Sequence, residues 1–358
     1  MKKIHRQLLE YLRSGDPVAV ATVIRTAGST PQKPGSSALF GERGLIAGTV
    51  GGGLLEGEVQ QIASHNMITG ISDKYYFNLD SGQGEDGAIC GGEAEVLIDA
   101  NPGAHLEALE AMERSLEEKS GGYLLTVLGK NPGNGRHVNR FWIPANGADK
   151  TPSGMDPQLW QIISVRLEAF QDTGFKEIDL KDEPVSDRYV ALLEECKPFP
   201  HLVIAGAGHV GKALAHLARF LEFNITVIDD RKEFACREQI PDADHFIVAD
   251  IGLSIQEIDI GPDTYVVIVT RGHHHDAEAL KPCIGSDAAY VGMIGSHRKV
   301  SFLRKKFLDQ GWATADQWSR IHTPIGIPIG SKTVEEIAIS IAAELISVRN
   351  QIKPDNAA

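Results

Sequence analysis

One short segment, Ala205-Gly206-Ala207-Gly208-His209-Val210-Gly211, constrains the fold of this chain more than any other. Leu202-Val203-Ile204 before it reads as a buried strand, and Val210, Leu214, Leu217 and Leu221 after it recur at helical spacing. A glycine-rich turn therefore opens a helix straight from a strand. The next apolar run, Ile225-Thr226-Val227-Ile228, ends in Asp229-Asp230-Arg231. An acidic residue thus stands about 20 positions beyond the glycines, as a dinucleotide-binding βαβ unit requires. In such a unit Gly206 permits the tight turn, Gly208 lets backbone amides approach a phosphate, and Gly211 lets the helix pack closely on the strand. The open N–H groups and positive dipole end of the helix favour an anion. The fold does not choose the ligand: NAD, FAD, a mononucleotide and an empty docking scaffold all remain open.

The chain's 358 residues, at about 150 per domain, predict two domains, each able to bury its own core. Lys197-Pro198-Phe199-Pro200 breaks the pattern just before the Rossmann strand. The expected division is 1–195 for an N-terminal α/β domain and 196–358 for a C-terminal Rossmann-like parallel-sheet domain with a closing helix. A net charge of −13 argues against nucleic acid or an anionic membrane as the main partner. No stretch approaches the ~20 apolar residues of a membrane span. Met1-Lys2-Lys3-Ile4-His5-Arg6 runs into an amphipathic helix rather than a secretory core, so a cytoplasmic protein is expected. Cys90, Cys196, Cys236 and Cys283 are scattered without a CxxC spacing, which implies neither a disulfide framework nor a zinc ribbon.

The first ~100 residues are punctuated by glycine. Ile4, Leu8, Tyr11 and Leu12 predict a helix that stops at Gly15-Asp16-Pro17, followed by a buried strand over Val18–Ile24. A hairpin passes through Gly41-Glu42-Arg43-Gly44, and Leu45-Ile46-Ala47 leads into Gly48-Thr49-Val50-Gly51-Gly52-Gly53 and a helix from Leu54 to Asn66. A polar loop at 80–87 precedes Cys90-Gly91-Gly92 and a strand from Glu93 to Ile98. The stretch 105–193 predicts one helix, a strand at Tyr123–Leu128, a turn at 131–135 and several further short elements, and it carries no chemical motif. Beyond it, Phe246–Val248, Tyr265–Val269 and Tyr290–Ile294 are near-continuous apolar runs of the kind that both-side-covered parallel strands show. Thr333 and Glu336 stand at capping-box spacing before a final helix that buries Ile337, Ile341, Leu345 and Val348.

In an open parallel sheet, ligands bind beyond the carboxyl ends of the strands. Those positions carry His209, Asp229-Asp230-Arg231, Asp250, Arg271-Gly272-His273-His274-His275-Asp276 and Gly295-Ser296-His297-Arg298-Lys299, and all are expected on one rim. Three consecutive histidines on a loop rarely aim at one ion, so the histidine run is read as solvated or phosphate-facing, with Asp276 as a helix cap, and no metal is assigned. His209 lies beside whatever the loop binds. In the N-terminal domain Cys90 precedes two glycines, whose amides would favour a thiolate or an anion. Buried cysteine is common, however, and Cys196, Cys236 and Cys283 are read as structural. Glu56 and Glu58, past the triple glycine, are accounted for by the helix dipole without an acid–base role.

Taken together, Gly28-Ser29-Thr30-Pro31 with Pro34-Gly35, Gly48-Thr49-Val50-Gly51-Gly52-Gly53-Leu54-Leu55-Glu56 and Cys90-Gly91-Gly92 resemble the N-terminal signature of the xanthine dehydrogenase accessory factors, the XdhC/CoxI family. These motifs fall within 18–100. The second half is similar as well. It carries Gly206–Gly211, Val227-Ile228-Asp229-Asp230-Arg231, Tyr290–Lys299, and Pro324–Gly330 before Glu335-Glu336-Ile337-Ala338. The resemblance implies a homodimeric accessory protein, a chaperone that binds molybdenum cofactor (molybdopterin). Such a protein assists replacement of an oxo by a terminal sulfido ligand with a cysteine desulfurase, and delivers the cofactor to an apo xanthine dehydrogenase-type hydroxylase. Carried onto this chain, it marks Gly51, Gly52, Gly53, Cys90, Gly91 and Gly92 for holding the cofactor. It marks Gly206, Gly208, His209, Gly211 and Asp229 for NAD(P), another nucleotide or the cofactor's phosphate. Arg25, Lys33, Arg271 and Arg298 are cations available for that phosphate. Many members have cysteine directly after the triple glycine. This chain has Leu54, so no role resting on two thiols in this domain is expected.

An NAD(P)-dependent oxidoreductase and a nucleotide-sensing regulatory module are the competing classes. A dehydrogenase needs a proton-transfer residue in its substrate domain, and residues 1–195 offer only His5, His65, His105 and His137, none near a glycine loop. A regulator would lack Cys90-Gly91-Gly92.

Overall fold

A computed structural model describes residues 3–79, 92–130, 136–145, 151–168 and 174–350. The chain divides into two compact units, Met1–Pro198 and Phe199–Ala358. The turn expected at 131–135 and the segment with Cys90 and Gly91 lie outside the described residues.

In the N-terminal unit, α1 (Lys3–Ser14) ends at Gly15, whose φ of +78° stops the helix, and leads into β1 (Val18–Gly28), β2 (Ser37–Gly41) and β3 (Gly44–Gly48). There follow α2 (Gly53–Thr69), β4 (Asp73–Asn78), β5 (Gly92–Asp99), α3 (Leu106–Glu117), β6 (Gly122–Lys130), β7 (Arg136–Pro144), α4 (Pro157–Glu168), β8 (Phe175–Ile178) and β9 (Tyr189–Cys196). The strands form a five-stranded sheet, β3-β2-β1-β5-β4, and a four-stranded sheet, β7-β6-β9-β8. All neighbours in both are antiparallel.

The pleat decides the layering. Ala19, Ala21 and Val23 of β1 pack against Leu55, Val59 and Ala63 of α2. Val18 and Val20 point the other way, into a cluster with Leu8 and Leu9 of α1, Leu109 and Met112 of α3, and Leu124 of β6. Ile24 and Leu97 of the first sheet meet Leu128, Val138 and Leu192 of the second. The outer face of the second sheet packs Leu125, Val127 and Leu193 on Leu159, Trp160 and Ile163 of α4. The result is two face-to-face sheets with a helix on each outer face. Among the described residues the stretch 105–193 holds two α-helices, and the periodicity, which predicts one helix and several further short elements, does not place α4. The apolar residues of α4 spread around its axis and leave Val165 66% exposed, which blurs the 3.6-residue period.

A buried ion pair also crosses between the sheets: Arg140 Nη2 of β7 lies 3.0 Å from Asp99 Oδ2 of β5. His105, also buried, stands 3.9 Å from the same carboxylate. Burial, and then the nearby Arg140 charge, push its imidazole down to about 4, so it is neutral at pH 7.

The C-terminal unit runs through β10 (His201–Ala205), α5 (His209–Phe220), β11 (Asn224–Asp229), β12 (His245–Val248), α6 (Ile251–Gln256), β13 (Thr264–Ile268), α7 (His273–Leu280), β14 (Tyr290–Met293), α8 (His297–Asp309), α9 (Ala315–Ser319) and α10 (Val334–Arg349). Its sheet, β12-β11-β10-β13-β14, is parallel throughout. The expected Rossmann-like half is present. The order reverses beside β10, the first strand, and that is where such sheets open a crevice. Helices α5 and α10 cover one face and α6, α7 and α8 the other, so β10 and β13 are buried on both sides. The predicted capping box at Thr333 and Glu336 starts α10. Glu344 of α10 accepts hydrogen bonds from the Tyr290 hydroxyl and the Gly326 amide and pairs with the His322 ring, which fastens the closing helix to the segment after α9. Among the described residues no helix is long and apolar enough to cross a membrane.

Because the folded His105 titrates near 4 and an unfolded histidine near 6.5, the unfolded chain takes up the proton first as pH falls, so stability declines between about 6.5 and 4. Thermal melts of His105→Gln should show a shallower loss over that window than wild type. Parallel curves would remove His105 from the account.

Candidate functional site

In the C-terminal unit the site is built from backbone outward. Gly206 adopts φ +118°, and a Cβ there would sit 2.6 Å from the Val269 carbonyl oxygen. A Cβ on Gly211 would collide with the Gly206 carbonyl oxygen. These two positions close the turn and seat α5 on the strand. Gly208 differs: its φ is −73° and a Cβ would meet nothing within 4 Å, so the space over it is open. No side chain caps α5, whose first amides follow Gly208.

Asp229, the last residue of β11, is 2% exposed. Its oxygens accept from the Ala207 amide at 2.8 Å, the Arg231 amide at 3.1 Å, and Arg231 Nε and Nη2 at 2.8 and 3.0 Å. Burial alone would raise this carboxyl, but the Arg231 and Ala207 hydrogen bonds outweigh it and hold it below the usual carboxylate range. These bonds use the carboxylate's acceptor capacity. Asp229 thereby anchors the glycine loop. The neighbouring Asp230 is the exposed carboxylate, and it pairs with Arg271 Nη2 at 3.1 Å. Such an exposed pair is worth little and yields readily to a ligand, whereas Arg231 is held by Asp229 and stacks 3.7 Å from the Phe234 ring centroid.

Gly206, Gly208, Asp229, Asp230, Arg231, Arg271 and His275 line one cleft at the carboxyl ends of β10, β11 and β13. The side chains of His273 and His274 lie outside the described residues, and several other residues of the expected rim lie elsewhere or have other partners. His209 is exposed at the start of α5 and is not among the lining residues. Asp250 caps α6 through the Leu253 amide, and Ser296 caps α8 through the Lys299 amide. Arg298 is exposed on α8. Asp276, read from sequence as a helix cap, is fully buried. It accepts from Thr270 Oγ1 at 2.7 Å and pairs with the Lys299 ammonium, which ties α7 to α8. Sequence reading missed this tie because the two residues belong to different rim segments.

In the N-terminal unit three of the glycine motifs meet. Gly51, at φ +143°, packs on Pro31, 2.8 Å from where its Cβ would be. A Cβ on Gly92 would lie 2.6 Å from the Ser29 carbonyl oxygen. The 28–31 loop therefore touches both the glycine turn and the start of β5. Gly52 and Gly53 have positive φ and nothing within 4 Å of a notional Cβ, and no side chain caps α2. Glu56 turns back to accept from Thr49 Oγ1 at 2.8 Å and the Val50 amide at 3.3 Å, a structural use that needs no acid–base role. Leu54 is 64% exposed. Arg25 is engaged by Glu177 and Glu95, while Lys33 is exposed. Burial pushes the Cys283 thiol up to about 12, in keeping with an inert core residue.

The fold and cleft define a two-unit protein whose C-terminal unit is a Rossmann domain with a turn suited to a phosphate. Residues 202–345 match the XdhC Rossmann domain, and residues 11–73 match the XdhC and CoxI family. This chain belongs to the XdhC and CoxI family. A crystal structure described as a xanthine dehydrogenase from Bacillus halodurans has 25% sequence identity and a TM-score of 0.78, covering 99% of this chain and 98% of that one. A protein of Bacillus subtilis described as a probable xanthine dehydrogenase subunit is 25% identical over 98% of this chain and 99% of its own length. The uncharacterized protein YqeB of Escherichia coli is 38% identical over 42% of this chain, a match that spans 28% of that protein. The molybdenum cofactor insertion chaperone PaoD of E. coli is 26% identical over 27% of this chain and 30% of its own length.

Replacing Asp229 by Asn leaves buried donors on Ala207 and Arg231 short of acceptors, at a cost of about 1–3 kcal/mol. Because the folded carboxyl is depressed, its contribution is present above the unfolded carboxyl pKa of about 4 and is lost as pH falls below that. Denaturant melts should show Asp229→Asn less stable than wild type at pH 7, with the gap closing in acid. Equal stability at pH 7 would contradict the anchoring role.

Proposed function

We propose that this chain is an accessory protein of molybdenum enzymes that binds molybdenum cofactor as cargo, assists its sulfuration and delivers it to an apo xanthine dehydrogenase-type hydroxylase, with a cysteine desulfurase as the sulfur source. The observation that carries this reading is the ordered match of both halves of the chain to one accessory-factor family. A relative named as a molybdenum cofactor insertion chaperone supports it.

Chemically, the cargo offers a phosphate and a dithiolene-bound metal. In the C-terminal unit the α5 amides beside the open face of Gly208 suit the phosphate of the cargo or of a nucleotide such as NAD(P), with Arg271 as the exchangeable cation. Gly206, Gly211 and Asp229 act one step back, by shaping the turn. His209 stands at its solvent edge. In the N-terminal unit Gly51, Gly52 and Gly53 present backbone at the uncapped start of α2, and Gly92, at the start of β5, packs on the 28–31 loop. In this reading Cys90 supplies a soft sulfur donor toward the metal. The chain itself binds and shields; it does not turn over xanthine or a nicotinamide cofactor.

The test is co-expression with molybdenum-cofactor biosynthesis, anaerobic purification, pterin and molybdenum analysis, and activation of an apo hydroxylase. Wild type should retain pterin and raise the active fraction of the client. Cys90→Ser should reduce both by about tenfold or more, the loss of an interaction of at least roughly 1.4 kcal/mol. Absence of pterin in wild type would sink the proposal. So would steady NADH oxidation by the chain alone that is abolished in His209→Ala.

A further inference from the structure

Between the two sheets of the N-terminal unit lies a cavity of about 30 Å³, away from the glycine turns and unused by the proposed function. His5, Thr22, Ser37, Thr126, Arg140 and Glu194 supply its polar lining amid leucines. It has room for a water or two or an ion, and not for an organic ligand.

Two elements bring ligand chemistry there. α1 buries the stripe of Leu8 and Leu9, and His5 falls on that stripe. On β9, Glu194 and Cys196 are two residues apart and so emerge on one face, opposite Leu124 and Gly122 of β6. His5, Glu194 and Cys196 are 8%, 8% and 5% exposed. One ligand atom from each lies within 4.8 Å of the others. His5 Nε2 stands 3.6 Å from Glu194 Oε2, and the buried His5 Nδ1 has no hydrogen-bond partner. An imidazole, a carboxylate and a thiol thus bring nitrogen, oxygen and sulfur lone pairs to one buried point. A divalent cation among them would neutralise the charge and accept their lone pairs.

We propose that His5, Glu194 and Cys196 form a binding site for a zinc-class divalent cation, with a water from the cavity as fourth ligand. Nitrogen, oxygen and sulfur donors in a three-plus-water set suit zinc, whereas calcium and magnesium call for oxygen alone. Binding displaces the thiol proton to solvent, and the metal takes the thiolate sulfur as ligand. The competing account is a buried His–Glu pair beside a core cysteine.

The experiment uses the full chain, stripped of metal and prepared without molybdenum, loaded with zinc or cobalt and dialysed. About one equivalent of zinc should be retained, and the cobalt form should show a sulfur-to-cobalt charge-transfer band. That band should survive in a Cys90→Ser/Cys236→Ser chain, which leaves the site intact. It should disappear in Cys196→Ser, and His5→Gln should weaken zinc binding by about 100-fold, a loss of roughly 2.7 kcal/mol, with circular dichroism reporting the fold. Failure of wild type to retain zinc, or loss of the cobalt band in the Cys90→Ser/Cys236→Ser chain, overturns the proposal even if the site variants do not fold.

Discussion

The Asp229 carboxylate fixes the C-terminal site. It sits at the end of β11 and grips the Ala207 amide and the whole donor edge of Arg231. The loop it grips is also held by the Gly206 amide on the Ile228 carbonyl at 2.8 Å, by the close seating of Gly211 and by burial of Ala207 in the core. A buried carboxylate that has exchanged water for charge-assisted hydrogen bonds must keep them all. The turn is therefore preorganised, and the α5 amides are aimed at open space before any ligand arrives. Preorganisation of this kind lowers the ordering cost of binding.

The N-terminal unit solves a different problem with a similar device. Its two sheets are joined by apolar packing and by the buried Asp99–Arg140 pair. Glycines at Gly51 and Gly92 appear where backbone must approach backbone or proline within about the reach of a methyl group. Gly52 and Gly53 have no such neighbour, and their positive φ alone explains why another residue would be strained there. The unit thus holds two sorts of glycine, one required by packing and one that leaves the helix start bare.

Much of this was legible in the sequence. The Rossmann half was visible because its strands are buried on both faces and carry unbroken apolar runs, and because a strand, a glycine turn, a helix and a terminal aspartate stand in fixed order. The family resemblance was readable for the same reason, from motifs in order at both ends. Side-chain destinations were not legible. Whether Asp229 faces a ligand or its own loop depends on where the Arg231 guanidinium turns, and nothing in Asp229-Asp230-Arg231 states it. Asp276 and Lys299 meet only because α7 and α8 begin at adjacent strand ends. His5, Glu194 and Cys196 come together across the length of the N-terminal unit, and none of them carries a spacing signal. Helix α4 was hidden by apolar residues all round its axis.

The account centres on a phosphate-bearing ligand approaching the backbone at Gly208. Gly208→Val tests this most directly, because φ is ordinary there and no protein atom stands within 4 Å of a Cβ, so the variant should fold. Calorimetric titration with a panel of nucleotides and pterin phosphates should find a ligand for wild type. Its affinity should fall by about tenfold or more in Gly208→Val, a loss of at least roughly 1.4 kcal/mol, with the melting temperature unchanged. Equal affinity in the two proteins, or no phosphate-bearing ligand for wild type, would contradict the account and leave the Rossmann turn as scaffold.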